Sequence, residues 1–338
     1  MVTYKDAGVD IDKANLAIEA IKKHVIATRT KSVISDIGSF GGLYKPDLRS
    51  ISEPVLVSST DGVGTKLKVA IALNKHDTIG QDLVNHCVND ILVQGARPMY
   101  FMDYIAMGKL NHGVIEQVVS GLSVACVQNN CALLGGETAE LPGMYSGQDY
   151  DIAGFIVGLV DKKDIVDGHL ISEGDVVIGL PSSGLHTNGY SLARKIISDA
   201  GLDLRKKHNS LGCSPGDALL KPHRSYLSII ERLPEAKIKG MAHITGGGFF
   251  DNIPRILPTG LGAVINKGSW PVPAVFSLMA RLGNVPETDM YRTFNMGIGL
   301  AIVVSHGRAK ELLFRLEQIG EKAYEIGKVT SRSGIILC

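Results

Sequence analysis

The chain has 338 residues, 45% hydrophobic and 20% charged, which suits two globular domains and excludes wholesale disorder. Lysine and arginine (35) balance aspartate and glutamate (34), so no electrostatic footprint for nucleic acid or an anionic membrane is present. Glycine is in excess, 39 of 338 residues against a usual share near 7%. With no G-X-Y period, that excess reads as turns and as loops where backbone approaches a ligand.

Taken in order, Pro54–Thr60 reads as a strand stopped by Asp61-Gly62. Residues 77–94 read as a helix between Asp77 and Gly95, with Leu83, Val84, Cys87, Val88, Ile91 and Leu92 at helical spacing. A strand at 99–106, a helix at 113–129, and strands at 131–134 and 152–160 follow. The polar stretch 161–175 is the domain connector, giving domains of 1–165 and 166–338. Beyond it come a strand at 176–180, a Gly/Ser loop at 181–189 and a helix at 190–200. A glycine triplet at 246–248 before a helix, strands at 261–266 and 297–304, and a helix at 307–319 complete an α/β (or α+β) pattern.

Apolar runs fall short of the ~20 residues that span a bilayer, and Met1–Asp6 has no signal-peptide character. Five cysteines without a C-x-x-C pair read as reduced thiols, hence a cytoplasmic protein. A single Trp270 argues against stacking on single-stranded nucleic acid. The Walker A and G-x-G-x-x-G loops, H-E-x-x-H and G-x-S-x-G are all absent, so a phosphate site must be built another way.

Four constellations carry chemistry. In Thr60-Asp61-Gly62-Val63-Gly64-Thr65-Lys66 a strand ends in a carboxylate, two glycines, a hydroxyl and a lysine. It reads as a metal and phosphate loop or as a tight Asp-Gly turn. Asp82, His86 and Asp90 recur every four residues on one helix face beside Asn89, either as a cation site or as a solvated polar face. Gly135-Gly136-Glu137 puts an acid after a glycine pair at a strand end, a third metal carboxylate or an ordinary turn. Ser182-Ser183-Gly184-Leu185-His186-Thr187-Asn188 and His243-Ile244-Thr245-Gly246-Gly247-Gly248 each precede a helix, where free N–H groups bind anions. His186 and His243 are acid/base candidates there, or structural histidines.

Together these segments resemble the phosphoribosylformylglycinamidine cyclo-ligases, the aminoimidazole ribonucleotide synthetases. Tyr4–Asp12, Thr60–Lys66, Cys87–Gly95, Gly135–Tyr145, Pro181–Leu192, His243–Pro254 and Met290–Gly299 match in order. Asn85-His86 departs from the small, apolar pair expected before Cys87, which argues against a catalytic His86. With no fused ligase or transformylase domain, the likeness is to the stand-alone microbial form.

The resemblance implies ATP-dependent ring closure of formylglycinamidine ribonucleotide to 5-aminoimidazole ribonucleotide in purine synthesis, with Mg²⁺. It implies a homodimer whose N-terminal domains build a shared β-barrel, each with a C-terminal α/β domain. ATP would map to Lys22, Thr60, Asp61, Gly62, Gly64, Thr65, Lys66, Asn89, Gly135, Gly136 and Glu137, and the metal to Asp61, Asp90 and Glu137. The phosphorylated substrate would map to Ser182, Ser183, Gly184, His186, Thr187, Asn188, Thr245, Gly246, Gly247 and Gly248. Catalysis would fall to Asp61, Lys66, Asp90, His186 and His243. The rivals are fold-related kinases, a maturation protein using the terminal Cys338, which here lacks the expected Pro-Arg lead-in, and a non-catalytic nucleotide-binding scaffold.

Overall fold

The computed structural model describes residues 11–36, 38–233 and 236–338, with side chains from Glu19 onward. Most of the Tyr4–Asp12 segment therefore lies outside the described residues. The chain divides into two units, one running to Ile91 with Ala96–Lys163, the other Leu92–Gly95 with Asp164–Cys338. The junction at Lys163/Asp164 falls inside the polar connector.

The first unit contains α1 (Ile11–Ala27), β1 (Pro54–Gly62), α2 (Leu67–Leu73), α3 (Ile79–Leu92), β2 (Arg97–Met107), α4 (His112–Gln128), β3 (Ala132–Glu140) and β4 (Tyr150–Asp161). Its sheet has the order β1-β4-β2-β3. β4 runs antiparallel to β1 and β2, and β2 is parallel to β3, so that pair is joined by the crossover helix α4. Alternation turns Phe101, Ile105, Ile152 and Ile156 to the buried face, while Leu56, Met102 and Phe155 stay exposed on the other. A Cβ on Gly154 would lie 2.3 Å from the Phe101 ring and 2.9 Å from Leu83 Cγ. The bare backbone there lets α3 rest directly on the sheet, its apolar stripe inward. That placement turns the Asp82, His86, Asp90 row toward β1.

The second unit contains β5 (Val176–Pro181), α5 (Tyr190–Asp199), α6 (Pro215–Leu219), α7 (Leu227–Glu231), β6 (Gly240–His243), α8 (Gly248–Asn252), β7 (Gly262–Ile265), α9 (Ala274–Gly283), α10 (Glu287–Thr293), β8 (Ile298–Val304), α11 (His306–Gln318), β9 (Tyr324–Thr330) and β10 (Gly334–Leu337). Its sheet has the order β10-β7-β9-β5-β8-β6. β5 and β6 both run antiparallel to β8 and flank it. They are therefore parallel to each other, and the loops leaving them emerge at the same end of the sheet. Those are the loops 182–189 and 244–247, and they touch: a Cβ on Gly246 would sit 3.1 Å from Asn188 Oδ1.

Two strands run further than the sequence pattern indicates. Asp61 and Gly62 do not stop β1; they pair with Gly154 and Ala153 of β4. Gly135, Gly136 and Glu137 lie inside β3, opposite Met102, Asp103 and Tyr104 of β2. In both cases the ladder of a neighbouring strand overrides the local turn preference of glycine.

Candidate functional site

The first unit gathers its polar groups where α3 crosses β1. Asp61 and Ser59, two apart, share the face of β1 turned toward α3. His86 Nε2 is 2.8 Å from Asp61 Oδ2 and 3.7 Å from Asp90 Oδ2. Ser59 Oγ donates to Asp90 Oδ2 at 3.1 Å. Burial pushes the His86 pKa down, but the Asp61 hydrogen bond and the charges of Asp90, Asp61 and Asp82 outweigh it, and the net direction is up. Burial likewise pushes Asp61 up, and its His86 bond, the His86 charge and the Gly62 N–H bring it below the ordinary carboxylate value. Both shifts favour the charged form of each partner.

The solvated-face reading of Asp82, His86 and Asp90 is thus corrected. Asp82 and His86 are buried, and Asp90 is half-buried. Lys66 is corrected too. Its Nζ lies 2.7 Å from Asp82 Oδ1, and both side chains are 0% exposed. The turn Gly64–Lys66, with Gly64 at φ +64°, swings the ammonium under α3, where it neutralises a buried carboxylate rather than meeting a phosphate.

Glu137 departs from the expected metal trio. Asp61, Gly154, Asp103 and Gly136 form one row across the four strands, and Gly62, Ala153, Tyr104 and Glu137 form the next. Adjacent rows point to opposite faces, so Glu137 and Thr60 face away from Asp61. Among the described residues, Asp61, Asp90 and Glu137 form no single ligand-sized cluster. Gly136 has its own reason to lack a side chain: a Cβ would fall 2.5 Å from Asp103 Oδ1, whereas one on Gly135 would meet nothing within 4 Å. Asn89 is buried in α3, and Lys22 lies on α1 with Nζ 2.5 Å from Glu19. A cavity of about 380 Å³ elsewhere in this unit is lined by His76, Asn111 and Tyr150 among others, none of them singled out by the sequence reading.

In the second unit each of the two loops is held by side chains from other segments of the same unit. Ser182 Oγ donates to Gly184 O at 2.9 Å and to Asn295 Oδ1 at 3.0 Å. Asn295 returns a bond to Gly184 O at 2.9 Å and accepts the Gly297 N–H. Ser183 Oγ donates to Pro222 O at 2.5 Å. Asn252 Nδ2 reaches Thr245 O, Gly246 O and Gly248 O at 3.4, 3.1 and 2.8 Å, and Thr245 Oγ1 donates to its Oδ1. Asn252 and Asn295 were missed from sequence, although both lie inside segments that carried the resemblance.

His186 is corrected as an acid/base group. It is 1% exposed, at φ +61°, and its Nε2 accepts the Ser183 N–H at 3.1 Å. The lone pair a base would use is spent inside its own loop. Gly248 is a packing glycine at φ +57°, where a Cβ would meet Tyr291 O at 2.0 Å. The helix it opens, α8, is a single turn, so the strong dipole expected at Gly247-Gly248 is absent.

His243 has a neighbour that the sequence did not suggest. His223, 1% exposed, places Nε2 at 2.9 Å from His243 Nε2 and Nδ1 at 3.3 Å from Thr187 Oγ1. Nitrogens of His186, His223 and His243 lie within 4.8 Å of one another. They do not converge on an ion, however. The His186 and His223 rings stack at 4.0 Å and 23°, so their in-plane lone pairs run in separate layers.

A two-domain α/β chain whose halves each present a polar cluster at the edge of a sheet has counterparts. Residues 48–160 match the AIR synthase related protein N-terminal domain, and residues 172–337 its C-terminal domain. The phosphoribosylformylglycinamidine cyclo-ligase of Thermoanaerobacter pseudethanolicus is 52% identical over 99% of this chain and 100% of its own length. That of Bacillus cytotoxicus is 51% identical over 98% and 96%. Among solved structures, thiamine-monophosphate kinase from Stenotrophomonas maltophilia superposes with TM-score 0.69 at 17% identity, covering 94% of this chain and 95% of that one. The hydrogenase maturation protein HypE in complex with ATP gives 0.66 at 19% identity, covering 94% and 86%. These two share the fold. The chain belongs to the phosphoribosylformylglycinamidine cyclo-ligase family of AIR synthase related proteins.

Proposed function

We propose that this chain closes the imidazole ring of 5-aminoimidazole ribonucleotide from formylglycinamidine ribonucleotide, using ATP and releasing ADP and phosphate. The observation that carries it is 52% identity over essentially the whole of a named cyclo-ligase. An amide oxygen is a poor leaving group. Its conversion to a phosphate ester lets the neighbouring amidine nitrogen attack the carbon and phosphate depart. The protein's work is to hold anionic groups together and stabilise the charge that develops.

Asp61 and Asp90 suit a hard divalent cation, being oxygen donors that are both partly exposed at one edge of the sheet. When bound, Mg²⁺ would offset phosphate charge there. His86 orients Asp61 and, when protonated, limits the charge of the carboxylate pair. In the second unit, the loops 182–188 and 245–248 would form the surface for the phosphorylated substrate, with His243 beside it. The fold shared with a kinase and with an ATP complex of HypE supports ATP binding. A second copy of the chain would cover the exposed sheet face bearing Leu56, Met102 and Phe155, giving the barrel dimer. We place the enzyme in the cytoplasm, which suits five free thiols. No helix among the described residues is long and apolar enough to cross a membrane.

The test is to incubate the protein with formylglycinamidine ribonucleotide, ATP and Mg²⁺ and to measure aminoimidazole ribonucleotide, ADP and phosphate. One ADP per ring closed is expected. ATP binding without product would favour a scaffold, and phosphoryl transfer to thiamine monophosphate a kinase.

A further inference from the structure

α3 and β1 bring one nitrogen donor between two carboxylates. His86 and Asp90 are one helical turn apart on α3, and Asp61 faces them from β1. His86 Nε2 lies 2.8 Å from Asp61 Oδ2 and 3.7 Å from Asp90 Oδ2. Adjacent ligands of a six-coordinate ion, each bonded at about 2.1 Å, stand roughly 3 Å apart, and further where the angle opens. Each of the two oxygens is therefore at ligand spacing from Nε2. Both carboxylates are aimed by bonds of their own. The Gly62 N–H donates to Asp61 Oδ1 at 2.6 Å, which leaves Oδ2 turned to the imidazole, and the Ser59 hydroxyl donates to Asp90 Oδ2. Outer contacts of this kind hold metal ligands in place. The His86 side chain is 5% exposed, against 43% for Asp61 and 27% for Asp90. The imidazole is thus the buried floor of the cluster, and the carboxylates are its open rim.

We propose that His86 Nε2 is itself a metal ligand, shared with the Asp61 or Asp90 oxygen beside it, and that it turns the preference of the site from Mg²⁺ toward Mn²⁺, Fe²⁺ or Co²⁺. The proposal rests on the reading that Asp61 and Asp90 hold the divalent cation. Mg²⁺ is a hard ion that takes oxygen and keeps its waters, so it gains nothing from Nε2. A nitrogen among carboxylate oxygens suits the first-row transition ions, which bind imidazole more strongly. The ion takes the place of the Nε2 proton, which leaves to water, and no electron is transferred. Water or phosphate oxygens complete the coordination. The sequence carries this donor set only as the His86-x-x-x-Asp90 spacing, which by itself makes a polar helix face. The Asp61 carboxylate, brought across from β1, turns that face into a set of convergent donors.

The test uses the full-length protein with Mn²⁺ as the probe, because its electron spin senses a directly bonded nitrogen. Electron spin-echo envelope modulation of the wild-type Mn²⁺ complex is expected to show a coordinated ¹⁴N, which His86→Ala and His86→Asn should both abolish. By calorimetry, either substitution should weaken Mn²⁺ binding ~10- to 100-fold and change Mg²⁺ binding far less. A wild-type Mn²⁺ complex without nitrogen modulation overturns the proposal, whether or not the variants fold, and leaves His86 as a counter-ion of Asp61. So does modulation that persists in a folded His86→Ala protein, or a loss of affinity equal for the two ions. Unchanged Mn²⁺ binding when Asp61→Asn and Asp90→Asn are combined refutes the carboxylate reading on which the proposal rests. A wild-type protein that binds Mn²⁺ through nitrogen yet closes no ring supports the proposal and refutes the functional reading alone.

Discussion

Asp103 carries its carboxyl over the backbone of Gly136 on the neighbouring strand, so closely that a methyl group on Gly136 would come 2.5 Å from Oδ1. Burial pushes this carboxyl up to about 7. The folded protein holds the Asp103 proton more tightly than the unfolded chain. The contribution is full below the unfolded value near 3.8 and is lost as pH rises through about 7. The rise from 3.8 to about 7 corresponds to at most ~4 kcal/mol. Asp103→Asn should therefore raise the urea midpoint at about pH 8, lose most of that advantage by about pH 5 and the rest as pH falls to about 3.8. Equal midpoints for the two proteins at both pH values would contradict the burial argument. Gly136→Ala should lower stability by about 1–3 kcal/mol at either pH, by overpacking.

Asp61→Asn should reduce ring closure at least ~100-fold at saturating Mg²⁺ while leaving the far-ultraviolet spectrum unchanged. The substitution also removes the partner that raises His86. The Asp61 contribution is present above the ordinary carboxylate value and lost as pH falls through its lowered one, and the His86 contribution is present below about 6.5 and lost as pH rises through its raised one. The stability gap between wild type and variant should thus be widest between those limits and shrink above them. Near-normal turnover would remove Asp61 from the metal site.

Lys66→Met removes the ammonium from the buried Asp82 carboxylate and should lower stability by about 3–5 kcal/mol. Lys66→Met with Asp82→Leu should recover most of the loss. Denaturant midpoints of the two variants decide the matter: a single variant as stable as wild type would mean that the pair does not hold the turn under α3.

Asn295→Ala removes the acceptor of the Gly297 N–H and one of the two partners of the Ser182 hydroxyl and of Gly184 O, and should cost about 1–3 kcal/mol. Because the loop it holds is the proposed substrate surface, KM for the ribonucleotide should rise more than KM for ATP. Equal rises in both would detach this loop from the substrate site.

Much of the fold was legible because β5 and β8 are near-continuous apolar runs and α3 has a clean helical stripe. What was not legible is long-range. Lys66 reads like a phosphate lysine until Asp82, sixteen residues on, is brought against it by the turn of α3. Glu137 reads as a partner of Asp61 until register, which a sequence does not display, puts the two on opposite faces. His223 sits in Lys221-Pro222-His223-Arg224 without any motif, and only the parallel placement of β5 and β6 draws it between Thr187 and His243. His86 looked out of place beside Asn85, yet it is the counter-ion of the Asp61 carboxylate.

The loops of the second unit have a thermodynamic corollary. Asn252 and Asn295 tie down the carbonyls of Gly184, Thr245, Gly246 and Gly248 from within the protein. Backbone freedom of about 1–2 kcal/mol per residue is therefore surrendered during folding rather than on encounter with ligand. Association with a phosphorylated compound should then be limited by diffusion and by release of surface water, with little reshaping of the protein. Its calorimetric signature should be a small heat-capacity change rather than that of coupled folding.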